Sequence, residues 1–253
     1  MDTMETRRNA IAQLIDDNGT ISFSQLKEAF PDVSEMTLRT DLKCLDEARR
    51  ILRVHGGAKS VQVVIGTDDL LKRKSIRNIS QKQMIAEKAV TLLRPDTTVF
   101  LDSGSTTTTL ARQFPDQSNL IYTTGLSCAT ELCGLSAPTV MLPGGMLNRY
   151  SQSVFGFSAI KELERVNFNQ AFLGITGYHA SSGFSCGISD EAILKQTAIR
   201  QSEQVIVLMD SSKVDIKCSF FICNLTDVDI IISDGKLPEE FLSECERYGV
   251  QVI

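Results

Sequence analysis

The stretch from residue 102 to residue 109, Asp-Ser-Gly-Ser followed by four threonines, combines a carboxylate, a glycine and many hydroxyl groups. It follows a β-rich run, residues 97–102, and precedes a helical pattern, so backbone N–H groups gather there at a helix N-terminus. Free N–H groups, the helix dipole and hydroxyl donors suit a phosphate group. The loop has neither a nucleotide P-loop pattern nor a G-x-G-x-x-G pattern, and simple capping of the helix by Ser and Thr is the structural alternative.

Glycines, hydroxyls, carboxylates and lysines recur at the ends of further apolar strands in the same region. Strands that alternate with helices predict an open parallel sheet, whose ligands bind at the carboxyl ends of the strands. Such a crevice suits a small phosphorylated sugar or polyol, because it offers donors for phosphate and carboxylates for sugar hydroxyls. The candidate effector-binding residues are Asp102, Ser103, Gly104, Ser105, Thr106, Thr107, Thr124, Gly125, Gly144, Gly145, Glu191, Lys195, Asp210, Ser212 and Lys213.

A crevice with carboxylates and a lysine also suits an aldose–ketose isomerase, which needs a general base and an electrophile for the oxyanion. Asp102, Glu191 or Asp210 could act as the base and Lys213 as the electrophile. Two of these residues have structural alternatives: Glu191 with Lys195 fits an exposed pair on a helix, and Lys213 fits an exposed lysine at a strand end. No metal-ligand pattern or cofactor motif is present, and we expect no catalytic residue for the reason that follows.

Residues 1–59 have the pattern of a winged helix-turn-helix, which an isomerase does not need. A capping box at Ser22 and Gln25 starts the second helix, and Ser34 caps the third. Leu38, Leu42 and Leu45 then form a buried stripe, and a strand pair surrounds residues 56–57. In this motif the third helix enters the DNA major groove. The predicted DNA-binding residues are Ser34, Thr37, Arg39, Thr40, Lys43, Arg53 and His55.

The overall net charge of −5 argues against nucleic acid, but the local balance differs. Residues 39–59 contain six Lys or Arg against three Asp or Glu, a balance of 6 − 3 = +3, on the third helix and the wing. Positive charge is therefore concentrated where DNA phosphates would lie. The alternative is a three-helix interaction module with a solvated charged face.

The sequence VSEMTLRTDLKCLDE followed by RVHGGA resembles the DNA-binding signature of the DeoR family of bacterial sugar-metabolism regulators. The resemblance extends over essentially the whole chain. It implies a sensor domain related to ribose-5-phosphate isomerase, with a phosphate loop at residues 102–107, a glycine pair at 144–145 and an Asp-x-Ser-Lys motif at 210–213. It also implies that operator DNA and a phosphorylated sugar or polyol are the partners.

Three positions depart from the family pattern. Thr40 stands where the recognition helix usually has a second Arg, and Arg49 stands where a Gly usually ends that helix. Gly125 replaces the Asn of the second sensor loop, so one effector contact is expected to be missing. These departures affect the operator sequence, the angle of the wing and the choice of effector rather than the class of protein.

The predicted fold class is therefore α/β, with a winged helix-turn-helix at 1–59, a linker and connecting helix at 60–80 and an effector-sensing domain at 81–253. Residues 67–90 read as one helix between the domains that could transmit the effector signal, and residues 228–235 as the last strand. Seven cysteines without a C-x-x-C pair, no membrane-length apolar run and a charged N-terminus unlike a signal peptide favour a cytoplasmic protein. A homodimer or homotetramer is expected, because two DNA half-sites require two wings.

Overall fold

The computed structural model describes residues 3–18, 20–48, 50–54, 56–60 and 71–253. The chain forms two compact units, Met1–Asp69 and Leu70–Ile253, called here the N-terminal and the C-terminal unit. The predicted contacts of His55 and the departure at Arg49 fall outside the described residues.

The N-terminal unit packs three helices against a small antiparallel sheet of order β1–β3–β2. The predicted capping box at Ser22 and the leucine stripe of the third helix are confirmed, and Leu38 is completely buried. Strand β1 was not predicted, since three residues are too few to show an alternating pattern. The elements are α1 Thr3–Asn18, β1 Thr20–Ser22, α2 Phe23–Ala29, α3 Glu35–Glu47, β2 Ile51–Val54 and β3 Gly57–Ser60.

The C-terminal unit alternates strands and helices, as the sequence predicts. Its strands are β4 Thr97–Leu101, β5 Asn119–Thr123, β6 Thr139–Met141, β7 Met146–Asn148, β8 Ser153–Phe155, β9 Gln170–Gly174, β10 Gly177–His179, β11 Gly183–Cys186, β12 Val205–Leu208, β13 Phe220–Cys223, β14 Ile230–Ile232 and β15 Gln251–Val252. Its helices are α4 Leu71–Ile76, α5 Ile79–Val90, α6 Ser105–Arg112, α7 Leu126–Leu132, α8 Phe157–Leu163, α9 Ser189–Arg200 and α10 Glu239–Arg247.

Seven of these strands form one parallel sheet of order β15–β14–β12–β9–β4–β5–β6. Successive residues of β4 point to opposite faces, so Val99 and Leu101 pack with α5, α6 and α7, whereas Phe100 packs with the layer that holds α8, α9 and α10. Both faces are covered, which explains why the central strands are almost entirely apolar. The carboxyl ends of β4, β9 and β12 consequently meet at one edge.

Two smaller sheets flank the large one: the antiparallel sheet β10–β11–β13 and the hairpin β7–β8. The hairpin reaches the loop before α7, where Gly125 and Ser153 form an isolated antiparallel bridge. The hairpin therefore lies beside the predicted second effector loop.

Two expectations from the sequence are wrong. The expected single helix over 67–90 is, among its described residues, a pair of helices, α4 and α5, because Asn78 between them has a positive φ of 49°. The last strand is β15, which lies at the sheet edge beyond β14 and was too short to predict. Among the described helices, none has the length and hydropathy needed to cross a bilayer.

Candidate functional site

Helix α3 begins with the cap that the sequence predicts. The Ser34 hydroxyl accepts the backbone N–H of Thr37 at 3.2 Å, and the two hydroxyl oxygens lie 2.8 Å apart. Both side chains are exposed or half-buried at the helix N-terminus. They fix the start of α3, and the Thr37 N–H is used within this cap.

Arg39 and Lys43 lie on the exposed face of α3, with side chains 64% and 65% exposed. Arg39 is 3.6 Å from Glu35, and its guanidinium carbon is 4.4 Å from the centre of the Phe23 ring. Lys43 is 3.8 Å from Glu47. Exposed ion pairs of this kind contribute little to stability, so both cations can turn towards a polyanion without a large penalty.

The remaining predicted DNA contacts differ in what they can offer. The Thr40 hydroxyl donates to the carbonyl oxygen of Met36 at 2.9 Å, so its proton is already used within the helix. Arg53 is exposed on β2, and its backbone N–H donates to the Asp46 carboxylate at 3.0 Å, which ties the wing to the end of α3. The predicted role of His55 lies outside the described residues.

Sequence reasoning counted Asp41 only as a negative charge, but it holds α3 in place. Its carboxylate, 1% exposed, accepts hydrogen bonds from Arg7 Nε at 2.6 Å and Arg8 Nε at 2.8 Å. Burial works to raise the pKa of Asp41, but the bonds and charges of the two arginines hold it below its ordinary value. Leu38 and Leu42 predict a buried helix face. Asp41 lies on that same face, and a buried carboxylate needs partners, which is the sequence signal for this ion cluster.

The Asp102 carboxylate lies at the end of β4 and is bonded on its inner side. Its backbone N–H donates to the Phe172 carbonyl oxygen at 3.0 Å, which extends the pairing with β9. Its Oδ2 accepts the backbone N–H of Gly174 at 3.0 Å and the ammonium group of Lys195. Asp102 and Lys195 are 2% and 3% exposed, so they form a buried ion pair between β4 and α9.

Glu191 lies one turn before Lys195 and is 7% exposed, so an exposed helix pair is not what the structure contains. Its Oε1 accepts the Ser153 hydroxyl of β8 at 3.1 Å. Burial alone would lower the pKa of Lys195, but the carboxylates of Asp102 and Glu191 together raise it above its ordinary value. Lys195 is therefore a permanent cation at neutral pH.

Gly104 lies at the N-cap of α6 with φ +148°, a conformation that L side chains rarely adopt. No side chain caps this helix, which contradicts the simple capping alternative. Ser103 and Ser105 are 9% and 8% exposed, and within the described residues their hydroxyls have no hydrogen-bond partner. The turn thus presents first-turn N–H groups and two serine hydroxyls, with half-buried Thr106 beside them.

The threonines of α6 serve the helix more than the expectation assumed. Thr107 is completely buried, and its hydroxyl donates to the Gly104 carbonyl oxygen at 3.0 Å. The Thr108 hydroxyl donates to the same oxygen at 2.6 Å. The Thr107 hydroxyl proton is therefore not available to an anion, because it is donated to the Gly104 carbonyl oxygen. The backbone N–H of Thr107 remains available.

The loop before α7 packs directly on the loop before α6. A Cβ on Gly125 would lie 3.0 Å from Cα of Ser103, so a larger residue there would displace the loop before α6 by a few tenths of an ångström. Thr124 is 1% exposed, and its carbonyl oxygen accepts the N–H of Val154 at 2.7 Å. Gly125 and Thr124 thus set the position of the neighbouring loop and of the β7–β8 hairpin.

A second polar cluster follows β12 around Asp210, which is 3% exposed. Its Oδ1 accepts the backbone N–H of Ser212 at 3.1 Å and, in addition, the Ser212 hydroxyl. The Asn78 amide donates to Asp210 and to the Ser212 hydroxyl oxygen, both at 3.2 Å. Since β9 is the only strand between β4 and β12, this cluster lies roughly 10 Å along the sheet edge from the Asp102 loop.

The glycine pair contacts neighbours outside the two polar clusters. The Gly144 N–H donates to the Glu162 carboxylate at 3.2 Å, and Gly145 lies against the Phe155 carbonyl oxygen. These described contacts belong to the β7–β8 hairpin and to α8. A direct effector contact of Gly144 or Gly145 stays a prediction.

Sequence reasoning missed several polar side chains beside these two clusters, which lie in helices, in turns and on strand β8. They are Asn78, Lys82, Cys128, Ser153 and Asp234. Lys82 and Asn78 lie in the segment that was interpreted as a connecting helix. The sequence signal that could have identified Lys82 is its position on the apolar face of the helix pattern, where a lysine is unusual.

The chain matches two protein families. The DeoR C-terminal sensor domain family matches residues 77–235, and the DeoR-like helix-turn-helix domain family matches residues 7–64. The putative aga operon transcriptional repressor of Escherichia coli O157:H7 is 31% identical over 249 residues, 98% of this chain and 92% of the relative. The HTH-type transcriptional regulator GlpR of Haloferax volcanii is 30% identical over 247 residues, 98% and 96% of the two chains.

One solved structure shares the fold. The translation initiation factor eIF-2B of Pyrococcus horikoshii OT3 superimposes with a TM-score of 0.50 and 11% identity over 91% of this chain and 94% of that one. Ribose-5-phosphate isomerase A of Methanocaldococcus jannaschii gives a TM-score of 0.39 and 16% identity over 53% of each chain.

Proposed function

This chain belongs to the DeoR family of DNA-binding transcriptional regulators, and from that premise we propose that it represses a sugar or sugar-alcohol catabolic operon under the control of a phosphorylated sugar. Relatives at 28–31% identity include repressors named for an aga operon and for a lactose phosphotransferase system. The proposal places operator binding in the N-terminal unit and effector binding in the C-terminal unit. It places the protein in the cytoplasm, where operator DNA is found.

The chain is a regulator and not an enzyme. The three carboxylates considered as general bases are all buried and hydrogen-bonded: Asp102 by Lys195, Glu191 by Ser153, and Asp210 by the residues after it. Each of these carboxylates therefore already accepts hydrogen bonds from groups of the protein. The crevice is thus better suited to holding polar groups of a ligand than to removing a proton from carbon.

The exposed cations of α3 support the proposed DNA contacts, and their loss has a defined signature. We expect Arg39→Ala to weaken operator binding by about 1–3 kcal/mol if it contacts a base and by less if it contacts a phosphate. Lys43→Ala should reduce the slope of log affinity against log salt by about one charge. Fluorescence anisotropy at several salt concentrations measures both, with Lys236→Ala in the C-terminal unit as the matched control. If both variants follow the wild-type salt curve, α3 is not the recognition helix.

The observation that carries the effector proposal is the uncapped start of α6, with two serine hydroxyls that have no described partner, beside a buried cation. The phosphate would bind the N–H groups of residues 104–107. The charged pair of Asp102 and Lys195 would lie under it and fix the loop. Sugar hydroxyls would extend along the sheet edge towards Asp210, Ser212 and Lys213.

The effector can shift the balance between DNA-bound and released protein only by its different affinity for the two states. Ordering of the phosphate loop must therefore be coupled to the DNA-binding units. Two half-sites require two wings at a fixed spacing, so the proposed assembly is a homodimer or a homotetramer. The proposed division is 1–59 for DNA binding, 60–80 for connection and 81–253 for sensing.

The proposed function is tested by two measurements on the full chain. Genomic fragments retained by the immobilised protein identify the operator, and a thermal-shift panel of phosphorylated sugars and polyols identifies the effector. We expect the strongest stabilising compound to release the retained fragment. A chain that binds a specific fragment but responds to no phosphorylated sugar would contradict the effector part of the proposal.

Gly104→Val tests the phosphate loop. Valine strongly disfavours the φ of +148°, so the turn must rearrange and its N–H groups lose their common direction. We expect unchanged DNA affinity and at least a tenfold rise in the effector concentration needed for release. The control is Gly134→Val, since Gly134 is exposed beyond α7 and has room for a Cβ. Wild-type release by Gly104→Val would place the effector site elsewhere.

A further inference from the structure

The hairpin β7–β8 has little apolar packing on its first strand. Met146 and Leu147 are 61% and 54% exposed, although neighbours on a strand point to opposite faces, so neither face of β7 is well covered. A two-stranded hairpin without such packing is marginally stable in water. Its position therefore depends on the polar contacts that its second strand and its turn make with the rest of the C-terminal unit.

The second strand and the residue before it attach the hairpin to the loop before α7. The Gln152 carbonyl oxygen accepts the N–H of Leu126 at 2.8 Å, and the N–H of Val154 donates to the Thr124 carbonyl oxygen at 2.7 Å. The loop before α7 packs in turn on the loop before α6. The hairpin is therefore one loop away from the N–H groups that are proposed to bind the effector phosphate.

The turn of the hairpin attaches it to α4. The Tyr150 carbonyl oxygen accepts the backbone N–H of Leu71 at 3.1 Å. Leu71 is the first residue of α4, where a helix cannot supply an acceptor of its own, so the turn supplies it. Helix α4 is the first described helix after the wing, and the segment 61–70 leads from the wing to it. The hairpin thus joins the effector loops to the point where the connection from the DNA-binding unit enters.

Asn148 holds the turn in the conformation that presents the Tyr150 carbonyl group. Its Oδ1 accepts the backbone N–H of Tyr150 at 2.9 Å and that of Ser151 at 3.4 Å, as in an Asx turn. Gln152, at the end of the turn, has a φ of 53°, which residues with a side chain seldom adopt. Such a conformation persists where the surrounding contacts fix the backbone. The turn therefore has one defined shape, set by Asn148 and by the bonds to the loop before α7.

We propose that the β7–β8 turn transmits occupancy of the effector site to α4, and that Asn148 is a positioning residue for this coupling. The inference rests on the proposed function, because it assigns the regulation of that same site. An anion on the N–H groups of residues 104–107 holds the loop before α6 and, through it, the loop before α7. The hairpin is then held by its two backbone bonds, and the Tyr150 carbonyl group stays on Leu71. Without the anion these contacts open more readily, and α4 frays from its first residue.

Hydrogen exchange of residues 71–76 in the full chain measures the opening of α4. Inorganic phosphate is the probe, and chloride at equal ionic strength is the reference. Calorimetry gives the Kd of each protein for phosphate, and exchange is measured at a phosphate concentration of about ten times that Kd. If α4 opens only when the site is empty, phosphate should slow exchange in the wild type by up to about tenfold, the factor 1 + [L]/Kd.

Asn148→Ala tests the turn, because the described hydrogen bonds of the Asn148 side chain lie within the turn itself. We expect phosphate to slow exchange in α4 of this variant by less than about twofold. Asn148→Asp is the matched control, since it keeps an acceptor oxygen at the same place. It should restore the slowing seen in the wild type.

Leu71→Pro and Leu71→Ala test the bond to α4 from its other side. Both variants reduce the side chain of Leu71, which is 6% exposed, but only proline removes the N–H that Tyr150 accepts. Proline is well tolerated at the first position of a helix. Phosphate should slow exchange of residues 72–76 in Leu71→Ala and not in Leu71→Pro, and this pair keeps the test decisive if Asn148→Ala does not fold.

Three results would overturn the inference. One is equal slowing by phosphate in Leu71→Pro and Leu71→Ala, and another is equal slowing in Asn148→Ala and the wild type. The third is exchange in wild-type α4 that phosphate does not change.

The proposed function fails separately from this inference. If a sugar phosphate releases DNA equally from the wild type and Asn148→Ala, the regulator stands and the coupling through the turn is rejected. If phosphate slows exchange in α4 through the turn but no sugar phosphate releases DNA, the coupling stands and the proposed effector control is rejected.

Discussion

Lys195→Met is expected to lower the free energy of unfolding of the C-terminal unit by about 3–5 kcal/mol, the range for breaking one partner from a buried ion pair. The variant removes the ammonium group but leaves the Asp102 carboxylate, 2% exposed, at the end of β4. The backbone N–H of Gly174 then remains as its described donor. A buried carboxylate without a counter-charge must take up a proton or admit water, and either change disturbs the loop before α6, which follows Asp102 directly.

Tyrosine fluorescence during urea unfolding measures this loss in the C-terminal unit alone. The chain has no Trp and four tyrosines, and all four lie beyond residue 69: Tyr122, Tyr150, Tyr178 and Tyr248. Lys161→Met is the control, because Lys161 is 56% exposed and its ammonium group contacts Glu164 and the Phe157 ring at the surface of α8. It should change stability by less than about 0.5 kcal/mol.

A double variant separates the ion pair from other effects of the substitution. Asp102→Asn together with Lys195→Met removes both charges, so it should be more stable than Lys195→Met alone. Burial lowers the pKa of Lys195, but Asp102 and Glu191 raise it overall above the ordinary 10.5. Its contribution to stability is therefore complete below pH 10.5 and is lost as the pH rises through the higher folded-state value. Equal stability of wild type and Lys195→Met at pH 7 would contradict the pairing.

The sequence predicts those parts of the fold that depend on local patterns. The stripe of Leu38, Leu42 and Leu45 and the cap at Ser34 each lie within a few residues, and the structure has them as expected. The residues after β4 and β12 were assigned to one crevice because parallel strands end at a common edge. The order of the seven strands depends on pairing between distant segments, so local sequence patterns could not predict it.

The same distinction explains the missed side-chain partners. Asp102 and Lys195 were both chosen as site residues, but they are 93 positions apart and only the sheet order makes them an ion pair. Thr107 was chosen for its hydroxyl, and its return bond to Gly104 depends on the exact turn before α6. Lys82 was overlooked because a lysine in a charged helix normally faces solvent.

Asp41→Asn is expected to destabilise the N-terminal unit by about 2–3 kcal/mol, because it removes the charge that Arg7 and Arg8 share. The value is below that for a fully buried pair, since the two arginine side chains are 24% and 23% exposed. The ion cluster joins the first helix to the recognition helix. Opening of α3, followed by hydrogen exchange of residues 35–47 in the full chain, should accelerate roughly 30- to 150-fold.

The contribution of Asp41 to stability depends on pH with the opposite sign from that of Lys195. Burial works to raise the pKa of Asp41, but Arg7 and Arg8 lower it overall below the ordinary 3.8. The cluster therefore contributes fully above pH 3.8, and its contribution is lost as the pH falls through the lower folded-state value. In Asp41→Asn, exchange in α3 should be fast at pH 7 already.

DNA affinity distinguishes orientation of α3 from simple electrostatics. Both Asp41→Asn and Glu47→Gln remove one negative charge from the same helix, which by itself favours binding to a polyanion. Glu47 is 63% exposed and pairs with Lys43 at 3.8 Å, so Glu47→Gln should bind DNA as tightly as wild type or more tightly. Asp41→Asn should bind more weakly despite the same change in charge, because Arg39 and Lys43 no longer lie on a fixed helix. Tighter binding by Asp41→Asn would mean that Asp41 acts only through its charge, and that the two arginines do not position the recognition helix.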